Sequence, residues 1–587
     1  MKKIQILLVL LLSSVSLWAG PIGEQRARQI AEEFFAQNAT RSTADELTLE
    51  WAGDVISETP AMGSELNTSL MYIYNRGQNG GFVVIAGDSN IAPIIAYSFD
   101  TTLDISNIAE ATRAILDAWC REVAHARQAA KPVSGGSYDM TTRANGELRY
   151  DTALWNQGEP YNWESPIYDG YRSVTGCVAT AMSIICHYNK WPERGVGTTP
   201  EYSYEDAYGV SRSVAANALG RTYNYSNMLM DYNSGYTTTQ GNAVAALMKD
   251  MGTSVKMQYH YSASGAYDVN VIKAFTTYFG YSKSSTFAYR SSYPIDEWNE
   301  LLRDNLDVYG PTYYSGSSNS GGHAFVVDGY NGDYFHFNFG WGGVANGYFR
   351  CPEIEYYAHQ MALLGLTPDR NGTSTYNDNL MLYALYNGDE QVFYGIRSFA
   401  TSYSVGQSFN CYLGGFANFG SAQFDGDIKL VLCDKDGTWK EELYTQSFSI
   451  ASDYFDYCTE TINVTITKPL EVGDRLRIYY KGAYSDDWKW MLSSDLSRVD
   501  QELLVMASPE DIAKGLEFTY YKEEKYMTIY SYNAAHAELY DGDTGDYIGY
   551  VDLAARKGVR YDNTADLKTL VWKVSLGSEP YILTIKL

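Results

Sequence analysis

The sequence predicts an α+β protein of several domains, on three observations. Helix-spaced and strand-like segments mix up to about residue 368, strands and turns alternate beyond it, and 587 residues exceed one compact core. The length prior alone gives roughly four domains.

The elements follow in chain order. Met1-Lys2-Lys3, an apolar run from Ile4 to Leu12 and the stretch Ser13 to Ala19 have the layout of a secretory signal peptide, with cleavage expected near Ala19-Gly20. That apolar run is too short to span a membrane, and no other stretch approaches the length required. Glu24 to Gln37 is expected to be an amphipathic helix, because Ala27, Ile30, Ala31, Phe34 and Phe35 recur at helical spacing. Strands are expected at Ser69–Tyr74 and Gly81–Ala86, joined by the Asn79-Gly80-Gly81 turn. A second helix covers about Asn107 to Ala129, and the Gly-, Ser- and Thr-rich passage Pro132 to Glu147 is expected to be an exposed linker.

A glycine- and aromatic-rich block follows from about Tyr150 to Pro368, closed by a linker at Asp369–Ser374. Beyond it, Ile428–Leu432, the turn Asp434-Lys435-Asp436-Gly437, Ile462–Ile466 and Arg475–Tyr480 predict an immunoglobulin-like β-sandwich over residues 375–500. Residues 501–587 are expected to form a second β-rich module, with strands including Thr569–Trp572 and Tyr581–Ile585.

Bulk properties exclude some function classes. Charged residues make up 19 % and hydrophobic residues 45 %, as in folded globular chains, and 53 tyrosines suit exported proteins rich in antiparallel sheet. A net charge of −26 argues against a nucleic-acid partner and against an anionic membrane surface, both of which require basic patches. Seven cysteines are too few for a disulfide scaffold, and the odd count leaves at least one free thiol. Cys411, Cys433 and Cys458 lie in strand-like surroundings with room for one bridge. No His, Cys and Asp spacing points to a metal, and no cofactor motif is present.

Chemistry concentrates at two segments. In Thr175-Gly176-Cys177-Val178-Ala179-Thr180-Ala181, a Thr-Gly turn enters a helix, with Val178, Ala181, Met182 and Ile185 on one apolar face. Cys177 is thereby expected in the first helical turn, where unpaired N–H groups converge and help lower a thiol pKa of about 8.5. In Gly321-Gly322-His323-Ala324-Phe325-Val326, a glycine pair that permits close backbone approach opens a strand that would hold His323 rigidly. His323 would act as base towards the thiol and as acid towards a leaving amine. Asn338, fifteen residues further on, is placed to fix the imidazole tautomer. Trp341 either shields that bond from water or packs in the core. His187 and His336 flank these segments and are expected to be packing or hydrogen-bonding histidines.

The order Cys, His, Asn is that of papain-type cysteine proteases. More narrowly, Trp155-Asn156-Gln157-Gly158-Glu159-Pro160-Tyr161-Asn162 together with the Cys177 and His323 segments resembles the streptopain family of cysteine peptidases. The N-terminal segment Gly81-Phe82-Val83-Val84-Ile85-Ala86-Gly87-Asp88 is similar to that family's propeptide. The resemblance implies a papain-like catalytic domain over residues 144–368, preceded by an α+β propeptide over 20–143 and followed by the two β-sandwich-like modules. It also implies a secreted endopeptidase acting on proteins or peptides, made as a zymogen and inhibited by its own propeptide. By position, Cys177 would be nucleophile, His323 base and acid, and Gln157 the oxyanion-hole side chain beside the Cys177 N–H. Gly322 would line the substrate cleft, Ser264 would lie in the cleft loop Ser262–Ala266, and the subsite two residues before the cleavage point would take an apolar side chain. The family's Asn-Trp-Gly-Trp stands here as Asn338-Phe339-Gly340-Trp341, so one indole is replaced. Maturation is expected between Met140 and Ala144, after Arg143. Two other readings compete: a non-peptidase thiol acyltransferase using the same pair, and a surface adhesin working through its C-terminal modules.

Overall fold

In a computed structural model, the described residues are 20–38, 46–54, 69–128 (without 79 and 109), 146–351 (without 207, 319 and 320) and 358–587 (without 388, 389, 394, 453, 454, 458–460, 497, 565, 566 and 578). The segment read as a signal peptide, the expected maturation site and Cys458 therefore lie outside the described residues.

The elements that matter for the site are helices α1 (Glu24–Asn38), α2 (Glu110–Gln128), α3 (Cys177–Asn189), α4 (Thr238–Ser254), α5 (Val269–Tyr278) and α6 (Ile295–Tyr309). The strands are β1 (Leu47–Gly53), β2 (Met71–Arg76), β3 (Phe82–Ala86), β4 (Ile94–Ser98), β5 (Glu147–Arg149) and β6 (Thr286–Tyr289). They continue with β7 (Thr312–Ser318), β8 (Gly321–Asn331), β9 (Tyr334–Asn338), β10 (Gly347–Arg350) and β11 (Ala358–Leu364). Two compact units result. One joins residues up to 149 with 318–321 and 328–357, and the other joins 150–317, 322–327 and 358–587.

The first unit is built on an antiparallel run β1-β2-β3-β4-β10-β9, next to the end of β8. The five residues that gave α1 its helical period (Ala27, Ile30, Ala31, Phe34 and Phe35) are its buried face, packed with Tyr72, Tyr74, Val83, Ile85 and Tyr97. Phe34 lies 5.0 Å from the Tyr97 ring, and the Tyr72 hydroxyl donates to the Ile22 carbonyl at 2.9 Å. Strand β4 pairs with β10 through Tyr97↔Tyr348 and Ala96↔Phe349, so N-terminal strands and the segment after Asn338 share one sheet. Glu147, read in the sequence as the end of a linker, instead starts β5, which pairs antiparallel with Gly329–Asn331 of β8. Its strand pattern is only three residues long, too short to register against the polar stretch before it.

In the second unit α3 is the central helix. Ten consecutive residues, Val178 to His187, are buried, as a helix apolar on every side must be. Around it pack Trp155, Met248, Met251, Met257, Phe275 and Tyr313, together with Ala324 and Val326 of β8. Helix α4 starts with a capping box in which the Thr237 side chain accepts from the Gln240 N–H while Gln240 accepts from the Thr237 N–H. Strands β7, β11 and β6 adjoin in that order.

Residues 380–585 contribute to one continuous apolar core. A sheet built on Trp439–Ile450, Phe424–Cys433 and Arg475–Gly482 takes a further strand at Glu502–Leu504, so the first sandwich extends just past the boundary read at residue 500. The last module has a three-stranded sheet beginning at Leu516 and a four-stranded sheet ending at Lys586, with Trp572 fully buried. Cys411 and Cys433 are both buried in sandwich strands.

Candidate active site

Cys177 is the first residue of α3, and the turn before it is fixed by several independent contacts. Gly176 has φ 86° and ψ 146°, a conformation open essentially to glycine. A Cβ there would lie 2.6 Å from the Met257 sulfur and 2.9 Å from the Ser264 carbonyl oxygen. The Thr175 N–H donates to the Gln157 carbonyl at 3.0 Å, and the Thr180 N–H and hydroxyl both reach the Gly176 carbonyl, at 3.1 and 3.0 Å. The Val174 N–H donates to the His260 carbonyl at 3.1 Å. The sulfur thus rests on a turn held by the Val174 and Thr175 N–H groups and the Gly176 carbonyl.

Gln157 belongs to the segment that clamps this turn. Its own N–H is held by the Asn156 side chain at 2.7 Å, and its carbonyl receives Thr175, two residues before the thiol. Its side chain is half-buried. Trp155, fully buried, anchors the segment by donating its indole N–H to the Leu229 carbonyl at 2.8 Å.

The Cys177 thiol is raised to about 11, primarily by burial; hydrogen bonding from the Ala324 N–H pulls it down, Asp268 pushes it up, and the Val178 and Cys177 N–H groups again pull it down. The helix start therefore acts in the direction expected from sequence, but burial outweighs it. The Ala324 N–H belongs to the residue after His323, so β8 runs beside the sulfur. His323 itself is buried, with its ring 6.2 Å from that of Phe325, and Gly322 is exposed at the strand start.

Ser264 sits differently from a residue that meets substrate. It is buried, and its hydroxyl is engaged with the Val174 carbonyl at 2.8 Å and the His260 N–H at 2.9 Å. Ser262, Ala263 and Gly265 are the exposed residues of that loop. Ser264 thereby ties the loop to the cysteine turn.

Asn338 and Trp341 belong to the other compact unit. Asn338 is fully buried at the end of β9, where its side-chain oxygen accepts from the Gly340 N–H at 3.2 Å. Phe339 is fully buried against Phe349 at 5.5 Å, and its N–H donates to Asn346 at 3.0 Å. Trp341 is 39 % exposed. The phenyl ring that replaces one indole is thus a core residue, and the remaining indole is at the surface. His187 is a buried packing residue, 4.8 Å from Trp155 and 2.8 Å from the Lys190 amine. His336 is buried too, with its Nδ1 2.6 Å from Asp328.

Asp268 was not legible in the sequence as a neighbour of the thiol. It precedes α5, accepts a hydrogen bond from the fully buried Tyr313 hydroxyl, and has its pKa raised by burial. No local motif marks it, because the fold brings it to Cys177 across 91 residues of chain. Among the described residues, no group of three or more His, Cys, Asp or Glu side chains is arranged to hold a metal.

Comparison with known proteins bears directly on these segments. Residues 155–349 match the peptidase C10 family, and residues 19–123 match the Spi protease inhibitor family. These matches support the streptopain-family resemblance for the peptidase block. It is 34 % identical over 354 residues to the thiol protease/hemagglutinin PrtT of Porphyromonas gingivalis, an alignment covering 58 % of this chain and 40 % of that protein. Streptopain of Streptococcus pyogenes is 29 % identical over 54 % of this chain and 85 % of its own length. Among solved structures, Prevotella intermedia prointerpain A is 26 % identical, covering 57 % of this chain and all of that one, with a TM-score of 0.45. In this chain an inhibitor-type block thus precedes the peptidase block, the order of a zymogen.

Proposed function

We propose that this protein is a secreted cysteine endopeptidase, exported by its N-terminal signal and held inactive by residues 20–143 until cleavage near Arg143. Its site of action would be outside the cytoplasm, in the periplasm, at the cell surface or beyond, and its substrates proteins or peptides. The observation that carries the proposal is the seat of the Cys177 sulfur: first turn of a buried helix, on a clamped glycine turn, accepting from the N–H next to His323.

In the proposed reaction, His323 takes the thiol proton as the sulfur bonds to the scissile carbonyl carbon. The carbonyl electron pair moves to oxygen, where the Cys177 N–H and the Gln157 side chain stabilise it. Collapse breaks the C–N bond and the leaving amine takes the proton from the imidazolium. Water then attacks the thioester, with His323 accepting its proton and returning it to the departing thiol. Asn338 orients the imidazole, and Gly322 and the exposed loop residues line the cleft. A thiol raised to about 11 by burial is almost wholly protonated at neutral pH, so the reaction needs His323 to take its proton.

The test is processing and peptide-bond cleavage together. Purified Cys177→Ala precursor should stay intact, while wild type should mature and then generate new peptide termini in denatured protein substrates, blocked by a thiol-directed epoxide. Maturation of pure Cys177→Ala at the wild-type rate would reject self-processing. Acyl transfer to added amines without new peptide termini would reject the peptidase reading.

A further inference from the structure

Two side chains from two strands converge on one carboxylate oxygen of a third strand in the first unit. Arg149 of β5 donates Nη1–H to Asp328 Oδ1 at 2.6 Å, and His336 of β9 places Nδ1 at 2.6 Å from the same oxygen. Asp328, on β8, is fully buried, and His336 is nearly so beneath Tyr348, whose ring meets it edge-on at 5.0 Å. The Arg149 side chain is 34 % exposed. The seat of β5 is tight: a Cβ on Gly329 would come within 2.4 Å of the Leu148 carbonyl oxygen. The Gly332 N–H closes the join by donating to the Gly146 carbonyl at 3.0 Å.

A carboxylate taken wholly out of water needs its partners, and removing one leaves a costly unpaired charge. Here the cationic partner is on the short strand that follows the expected maturation site. The other two groups lie on the β8–β9 hairpin, whose strands also carry His323 and Asn338. We propose that Arg149, Asp328 and His336 are positioning residues for the proposed peptidase reaction. Residues 147–149 remain after maturation as an N-terminal strap that fixes the register of β8 against β9. This rests on the peptidase reading above. It assigns the new N-terminal segment a role that cleavage anywhere before Glu147 preserves and deeper trimming destroys.

The chemistry predicts a rate effect rather than a binding effect, because none of the three side chains need touch substrate. Displacing a catalytic group by about 1 Å costs on the order of 100-fold in rate. The experiment uses the full-length precursor, matured and titrated with a thiol-directed epoxide so that rates are expressed per active thiol. Arg149→Ala should lower kcat by about 10- to 100-fold with KM within twofold and move the acid limb of the pH–rate profile. Arg149→Lys should recover part of that loss, because it restores the charge. Added guanidinium ion, entering through the exposed end of the site, should partly rescue Arg149→Ala and leave wild type unchanged. A mature form beginning at Tyr150 should match Arg149→Ala. Unchanged kcat per titrated thiol in Arg149→Ala, or equal loss in the Lys variant without guanidinium rescue, would overturn the proposal. If Arg149→Ala does not mature, the Lys variant and the trimmed form still decide it. Wild type without peptide cleavage would instead reject the underlying reading.

Discussion

Substituting Gly176 by alanine tests whether the turn before Cys177 is as constrained as its geometry implies. Two costs add. The backbone sits at φ 86°, ψ 146°, a region in which a non-glycine residue costs on the order of 1–3 kcal/mol. The new methyl would also enter space held by the Met257 Sδ and Cε, at 2.6 and 2.7 Å, and by the Ser264 carbonyl oxygen, at 2.9 Å. Overpacking of that kind adds roughly 1–3 kcal/mol. The methionine end can swing away, but the carbonyl is backbone and is held by the loop. A loss of about 2–6 kcal/mol is therefore expected, large against total stabilities of about 5–15 kcal/mol. Thermal unfolding of the precursor in a Cys177→Ala background reads the stability, and kcat per titrated thiol reads the sulfur's position. Met257→Ala combined with Gly176→Ala should show a favourable coupling of about 1 kcal/mol, because removing the thioether relieves the overpacking but not the backbone cost. Gly176→Ala with an unfolding temperature within about 1 °C of its parent and with unaltered kcat would refute the reasoning.

Two further outcomes follow from buried titratable groups. Among the described cysteines Cys177 alone is partly exposed, the others being buried. Its alkylation by iodoacetamide in the precursor should climb about tenfold per pH unit between roughly pH 7 and 9, as expected well below a pKa of about 11. A plateau below about pH 8 in the precursor would contradict that burial dominates. His187 is lowered to about 4, mainly by burial and secondly by Lys190, so the folded state keeps it neutral where the unfolded chain, near 6.5, takes up a proton. Stability from this group is complete above about pH 6.5 and is lost as pH falls through the window down to about 4, to a total of about 3 kcal/mol. Denaturant midpoints measured across that window should lose this component in His187→Gln; an identical pH slope would count against it.

Much of this arrangement was legible because it depends on local pattern. The α1 face followed from five residues at helical spacing, and the cysteine helix from an apolar run behind a Thr-Gly turn. What the sequence left dark was produced by chain segments meeting at a distance. Asp268 acts on Cys177, and Arg149 meets Asp328 across 179 residues, without any local pattern to announce either. Ser264 was read as a cleft-loop residue, but its hydroxyl faces inward, a choice set by the Val174 carbonyl beneath it. The direction of the thiol shift was also beyond local reading. Helix N–H groups are visible in a sequence, whereas the amount of surrounding core is not.

The same distinction governs the C-terminal modules, which as strand-and-turn sequence suggested separate attachments. Asp369–Ser374 looked like a linker, yet the Asp369 carboxylate accepts from the Thr373 and Ser374 N–H groups at 3.0 and 3.2 Å, making an ordered turn. Beyond it Met381 joins the peptidase core, and Phe419 packs on Tyr289 of β6 at 5.1 Å. The Asn379 side chain bonds Thr286 and the Phe287 carbonyl, and the hydroxyls of Ser291 and Ser292 donate to the carbonyls of Ser494 and Ser493. Strand β6 is the outer strand of its sheet, and an uncovered outer strand offers unpaired N–H and C=O groups to any passing chain. A sandwich packed around that strand limits such pairing as well as adding buried area. The first module is thus part of how the peptidase block completes its own fold.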